Sequence, residues 1–185
     1  MSMTQGLIVI FLIFLEPGLL LRSKRATQEV KLLQTNNVGA IVRLHKAVFP
    51  EYKDTSAREF NSVLQSPHFG YGYFYDGKLV GVIIIHMNAE SEYVQNQEYI
   101  DIFKFGVLPA HRGMGIGQRL MDKAIGKLEE LGCHELLVTV IATNPAVRFY
   151  RNNGFEVYRS YENNGLLKSG ATYRELLMKK SLRRQ

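Results

Sequence analysis

The pattern of apolar runs and turn signals predicts an α/β (α+β) fold: a mixed, largely antiparallel sheet of six to seven strands with helices on both faces. Three observations carry this reading. Apolar residues alternate in some stretches and recur every three or four positions in others, so strands and helices are interleaved. Asp76-Gly77 separates two apolar runs, a strong hairpin signal. Residues 97–107 carry apolar side chains at both odd and even positions, as a strand covered on both faces does.

Taken in order, residues 28–35 alternate weakly and read as a first strand. Asn36 or Asn37 can cap a helix in which Val38, Ile41, Val42, Leu44 and Val48 recur at helical spacing and which stops at Pro50. Ser56 can cap a second helix with Phe60, Val63 and Leu64 on its apolar face, ending near Pro67. The hairpin follows, from Tyr71–Tyr75 through Asp76-Gly77 to Lys78–Met87, and polar residues 88–96 read as a loop. After the strand over 97–107 comes a helix from about 116 to 131, with Ile116, Leu120, Ile125 and Leu128 inward and Gly132 as its stop. Leu136–Ile141 is β-rich, and residues 144–152 form a short helix with Pro145 in its first turn. Phe155–Tyr161 and Thr172–Lys179 close the sheet.

Two regions organise the chain: an apolar extension over 1–26 and one folded domain over 27–185, large enough to bury a core. Residues 7–15 are unbroken apolar, and Leu19, Leu20 and Leu21 follow after Glu16, Pro17 and Gly18. The run is short for a spanning helix and lacks the basic start and small-residue cleavage site of a secretory signal. It reads as an accessory segment, with membrane contact through residues 7–21 as the alternative. The basic cluster Arg22, Lys24 and Arg25 would keep an anchored domain on the cytoplasmic side. The lone Cys133 forms no internal disulfide and reads as a small buried apolar residue in a reducing, cytoplasmic setting.

The net charge of +6 does not indicate nucleic-acid binding. Setting aside Arg22, Lys24, Arg25, Lys179, Lys180, Arg183 and Arg184 leaves 16 basic against 17 acidic residues. A nucleic-acid module concentrates its positive charge on the folded face. The five histidines show no ligand spacing, so no metal is expected.

The chemistry lies between the strand over 97–107 and the helix that follows. Gly113, Gly115 and Gly117 stand at alternate positions there. Glycines let the backbone turn tightly and leave its N–H groups uncovered. At a helix N-terminus, such N–H groups form a site for a pyrophosphate. A Walker loop would need Gly-Lys-Ser/Thr, but Gln118 and Arg119 follow Gly117. A dinucleotide fingerprint would need a third glycine where Ile116 or Leu120 stands.

Arg112-x-x-Gly115-x-Gly117 resembles the coenzyme-A loop of the GNAT acyltransferase superfamily. A second block, Asn144-Pro145-Ala146 through Tyr150 to Gly154-Phe155, resembles that family's later motif at the spacing the family requires. The resemblance covers about residues 30–180. The resemblance implies a GNAT-like fold and an N-acetyltransferase using acetyl-coenzyme A as co-substrate, acting by direct attack in a ternary complex. It implies that Phe105, Gly106 and Val107 line the acyl-pantetheine slot, with the Val107 N–H polarising the thioester carbonyl. Backbone N–H groups of Arg112, Gly113, Met114, Gly115, Ile116, Gly117 and Gln118 would hold the pyrophosphate. Asn144 would bond the pantetheine arm or cap its helix, and Tyr150 would protonate the leaving thiolate. A glycine such as Gly106 inside a strand suits a bulge or close ligand approach.

Attack requires a neutral amine, so a base is needed. Asp101 matches the family's base position and lies six residues before Val107, which by strand alternation puts both on one face. Burial would have to raise its pKa. Glu98 is the second candidate, and a structural carboxylate is the competing role for Asp101. The acceptor is a small-molecule or peptide amine. By the resemblance, residues 45–75 and 160–172 shape its pocket, including Phe49, Tyr52, Phe69, Tyr71, Tyr73 and Tyr161 with Glu51, Asp54 and Glu162. A non-catalytic acyl-coenzyme-A-binding module and a membrane-tethered acyltransferase are the alternatives, and a homodimer is allowed.

Overall fold

The computed structural model describes the backbone of residues 26–91 and 94–182 and the side chains of residues 26–87 and 100–182. The apolar run 7–21, with its anchor reading, and the side chain of Glu98 lie outside the described residues. Among the described residues, no helix is long and apolar enough to cross a membrane. The strands are β1 (Gln28–Leu32), β2 (Phe69–Tyr75), β3 (Lys78–Ser91), β4 (Val94–Val107), β5 (Glu135–Ile141), β6 (Glu156–Asn163) and β7 (Tyr173–Ser181). The helices are α1 (Val38–Val48), α2 (Ala57–Ser62), α3 (Ile116–Glu130) and α4 (Ala146–Asn152).

The strands form one sheet in the order β1-β2-β3-β4-β5-β7-β6. Every neighbouring pair is antiparallel except β4 and β5, which are parallel and share a single register pair, Asp101 with Leu137. Past that pair the two strands part. The mixed, largely antiparallel sheet is the one the apolar pattern predicts.

Local chemistry explains the element ends. At the β2–β3 turn Asp76 and Gly77 both take positive φ, 48° and 73°, as a tight hairpin requires. Ser56 Oγ accepts the Glu59 N–H at 3.1 Å while Glu59 Oε2 accepts the Ser56 N–H at 2.8 Å, a reciprocal cap on α2. Gly132 (φ 73°) stops the chain after α3.

Two boundaries differ from expectation. Residues 88–96 are not a loop: β3 continues to Ser91 and β4 begins at Val94, paired through Ala89–Tyr99 and Ser91–Val94. Ladder hydrogen bonds satisfy the backbone whatever the side chains, so a polar sequence can extend a hairpin. The first strand ends at Leu32, because Thr35–Asn37 close into a single 3-10 turn in which Asn37 Oδ1 accepts the Gln34 N–H.

Apolar side chains are buried on both faces of the sheet. On one face Ile116 and Leu120 of α3 pack with Ile83, Ile85, Ile102, Leu136, Val138 and Phe155. On the other face Ile41 and Leu44 of α1 and Phe60 of α2 pack with Leu33, Val82 and Ile84. Val82 to Ile85 therefore alternate between the two layers, each side chain contributing roughly 1.5–3 kcal/mol by burial.

β4 carries a bulge. Ile84 faces Lys104 but its neighbour Ile85 faces Ile102, so Phe103 is an extra residue in β4. Ile102 packs in the α3 layer, whereas Phe103 turns to the α1–α2 layer and meets Phe60 edge-on at 6.2 Å between ring centroids.

Candidate active site

The parting of β4 from β5 opens a groove of about 1060 Å³ through the sheet. β4 contributes Asp101 through Val107 to its walls, and β5 contributes Val138 through Ile141. One end meets the loop from His111 to Gln118, and the other is bounded by Tyr52, Leu166, Leu167, Tyr173 and Glu175. Thr139 is exposed although β5 lies inside the sheet, because the groove opens beside it.

The loop end fits a diphosphate. Gly113 and Gly115 take φ of 76° and 72°, which L side chains rarely adopt. A Cβ on Gly117 would meet Phe105 Cζ at 3.3 Å, so a bare backbone lets α3 approach β4 closely. Arg119 N–H to Gly115 O is the first main-chain bond of α3, so the N–H groups of Ile116, Gly117 and Gln118 have no helical acceptor. The Arg112 N–H is bonded to Pro109 O at 3.2 Å. Its Nε donates to Val107 O at 3.1 Å, so Arg112 ties the loop to the end of β4. Gln118 Nε2 donates to Asp122 Oδ1 and to Asn153 Oδ1, joining α3 to the end of α4. Met114 is exposed.

Val107 presents its backbone to the groove. Leu108 N–H donates to Val80 O on the β3 side, and successive N–H groups of a strand point in opposite directions. The Val107 N–H therefore points away from β3, toward the gap. Gly106 is not the bulge. A Cβ there would lie 2.8 Å from Val48 Cγ1 and 3.2 Å from Phe49 Cζ, so the glycine makes room for the end of α1 rather than for a strand irregularity.

Asp101 and Val107 do not share a face, contrary to simple alternation. The bulge at Phe103 resets the parity: Val107 packs in the α3 layer, while Asp101 sits beside His86, its register partner on β3. His86 Nδ1 lies 3.6 Å from Asp101 Oδ1, and His68 packs on the His86 ring at 4.5 Å. Asp101 Oδ1 is buried without a hydrogen-bond partner. Burial raises the Asp101 pKa to about 7, opposed weakly by its own backbone N–H.

Tyr150 is 4% exposed and lies in an aromatic group with Phe105, Phe149 and Phe155 on the α3–α4 side of the groove. Burial, and to a lesser degree Tyr52, raises its pKa well above the usual phenol value, so the hydroxyl stays protonated. Asn144 does two things. Its Oδ1 accepts the Ala146 N–H at 2.9 Å at the start of α4, and its Nδ2 donates to Tyr52 Oη at 3.3 Å.

The expected acceptor residues divide. Phe49, Glu51 and Tyr52 line the groove. Tyr71 and Tyr73 belong to the core under α3, with Phe69 packed against it. Asp54 pairs with Lys46 and Lys168, and Glu162 pairs with Arg174. Sequence reasoning missed Thr139, His86 and Glu175. For Glu175 a signal existed: Tyr173, Glu175 and Leu177 share a strand face by alternation, and a carboxylate between two apolar residues on a covered face is unusual.

Comparison with known proteins bears on the family and the fold. The sequence model described as the Acetyltransferase (GNAT) family matches residues 38–155. N-alpha-acetyltransferase 50 of Danio rerio is 24% identical over 131 residues, spanning 69% of this chain and 74% of its own. The crystal structure of the ribosomal-protein-S18-alanine N-acetyltransferase from Escherichia coli superposes with a TM-score of 0.72 at 19% identity, covering 86% of this chain and 96% of that one. The structure of Arabidopsis thaliana NAA60 in complex with acetyl-CoA gives 0.69 at 21% identity, covering 84% and 98%.

Proposed function

The chain belongs to the GNAT acetyltransferase family, and from that premise we infer that it transfers an acetyl group from acetyl-CoA to a primary amine within a ternary complex. The observation that carries the reading is the parted β4–β5 groove, which ends on glycine-bearing N–H groups at the start of α3. NAA60, whose fold this chain shares, has been solved with acetyl-CoA, which supports the same co-substrate here.

The fit of acetyl-CoA rests on two features of the loop. The positive φ of Gly113 and Gly115 suits a backbone nest in which successive N–H groups can hold one anion. The bare Gly117 keeps that site against β4. Acetyl-CoA supplies a thioester whose carbonyl is open to attack. The Val107 N–H, directed into the gap, is the donor for oxygen charge developing there. Phe105 and Phe149 wall that stretch and keep it apolar, so the donor acts in a medium of low dielectric.

Asp101, roughly 17–20 Å of strand from Val107, takes the proton of the attacking amine through bridging water. With its pKa near 7, a large share is ionised at neutral pH, yet it is a far stronger base than an ordinary carboxylate. Its place on the α1–α2 side, opposite Tyr150, gives the acceptor and the thioester separate approaches to the gap. Tyr150 supplies a hydrogen bond to the departing sulfur. Because its pKa is raised, it donates without giving up its proton fully, and solvent or the acceptor's released proton completes protonation. The overall reaction forms one N–C bond, breaks one C–S bond and releases free thiol.

Incubation of the purified chain with acetyl-CoA and an amine panel tests this. Thiol release matched by an equal amount of acetylated amine in the mass spectrum is expected. Tight acetyl-CoA binding with no thiol release across the panel would instead leave a coenzyme-binding module.

A further inference from the structure

We propose that Glu175 is a specificity-determining residue that anchors a second positive charge on the acceptor, remote from the amine that is acetylated; this rests on the transferase reading above. Glu175 lies on β7, faces Ile141 of β5 across the ladder and lines the groove while only 7% exposed. A carboxylate so placed is largely shielded by protein and favours a cationic partner in the groove. Its compensation within the chain is slight. Asn163 Nδ2 donates to Glu175 Oε2 at 2.9 Å. That amide is itself fixed, since Asn163 Oδ1 accepts the N–H groups of Asn164 and Gly165.

Among the described residues, no cationic side chain lies within ion-pair distance of Glu175. The cations of flanking segments are engaged elsewhere: Arg174 with Glu162 at 3.1 Å, and Lys168 with Asp54 at 3.6 Å.

The surroundings suit an organic cation. Tyr52 and Tyr173 line the same end of the groove as Glu175, and burial is the main cause that raises both phenol pKa values, so both rings stay neutral. Neutral aromatic faces also attract cations. Two paired segments cover this end of the groove. The segment 166–168 pairs with 51–53 through Lys53 N–H to Leu166 O at 2.8 Å and Lys168 N–H to Glu51 O at 2.9 Å. Under it, a charge interaction is screened less than at an open surface. Glu175 sits at the level of Ile141, beyond the last β4–β5 pair at Leu137, so it flanks the open part of the gap rather than its closed end. An acceptor with its reacting amine in the open part of the gap and a second cation toward β7 meets Glu175 with that second charge.

Such a second cation belongs either to an aliphatic diamine or to a basic side chain near a peptide N-terminus. The test compares diaminobutane with butylamine, and tripeptides carrying Lys with tripeptides carrying Ala at the second position. It uses the full chain and Glu175→Gln, whose amide oxygen can still accept from Asn163. In one arm the dicationic acceptor is expected to be preferred by about tenfold or more in kcat/KM, and that arm identifies the source. Glu175→Gln should erase the preference by raising KM for the dicationic acceptor about tenfold, with kcat and the monocationic acceptor little changed. An equal loss on both acceptors, or a preference that survives the substitution, overturns the proposal. If no acceptor turns over, calorimetry on the protein saturated with coenzyme A separates the two readings. Diamine or Lys-peptide binding that weakens about tenfold in Glu175→Gln upholds the anchor while the transferase reading falls. Absence of such binding to the unaltered chain removes the anchor.

Discussion

Asp101 and Val107 lie on opposite faces of β4, because the bulge at Phe103 puts one extra residue between them relative to β3. The carboxylate is thereby directed to the α1–α2 side, next to His86, while the Val107 side chain packs under α3 and its N–H stays in the plane of the sheet, aimed at the gap. Both residues line the one groove and face it from different directions.

Activity should follow the titration of Asp101. In the proposed mechanism the ionised form is the base, so the rate of the unaltered chain should rise as pH passes about 7. Asp101→Asn should lose about 10²-fold near neutral pH. The deficit should shrink as pH nears the acceptor's own value of ~10, where the amine no longer needs a base. Initial rates from pH 6 to 10 on both proteins check this, and superimposable profiles would exclude Asp101 as base.

The same group should shape stability. Its folded-state pKa is raised, so the neutral form is the one the fold favours. Its favourable contribution is complete below the unfolded value of about 4 and is lost as pH rises to about 7 and beyond, by as much as ~4 kcal/mol. Asp101→Asn, which stays neutral, should gain thermal stability over the unaltered chain at pH 8 and show little gain at pH 4. Paired melting curves at the two pH values measure the difference. An equal difference at both would mean that Asp101 does not carry the effect.

Tyr150→Phe should lower kcat by about tenfold and change acetyl-CoA affinity little, because a hydrogen bond made mainly as sulfur charge develops acts on the transition state. Stopped-time kinetics with calorimetry of acetyl-CoA binding decide it. An unaltered kcat would assign the hydroxyl to packing alone.

Gly115→Val places a β-branched residue at φ 72°, at a backbone cost of roughly 1–2 kcal/mol before any ligand contact is lost. Acetyl-CoA affinity should fall by at least about tenfold, while circular dichroism keeps its native shape. Undiminished affinity would place the diphosphate elsewhere.

Ser56→Ala removes the reciprocal cap on α2 and leaves the groove intact. A stability loss of about 1 kcal/mol is expected, with kcat unchanged. Chemical denaturation and initial rates measure the two separately.

The sequence by itself determined the alternation of strands and helices, the Asp76-Gly77 hairpin, the Ser56 cap and the glycine loop ahead of α3. Each depends on residues a few positions apart, where period and turn chemistry act directly. Only the tertiary structure decided that 88–96 extend a hairpin, because its pairing partners, not its polarity, satisfy that backbone. Only it placed Asp101 across the strand from Val107, since one bulged residue reverses every face after it. Only it brought Glu175 to the groove, by pairing β7 with a strand 34 residues earlier, a contact no local pattern encodes.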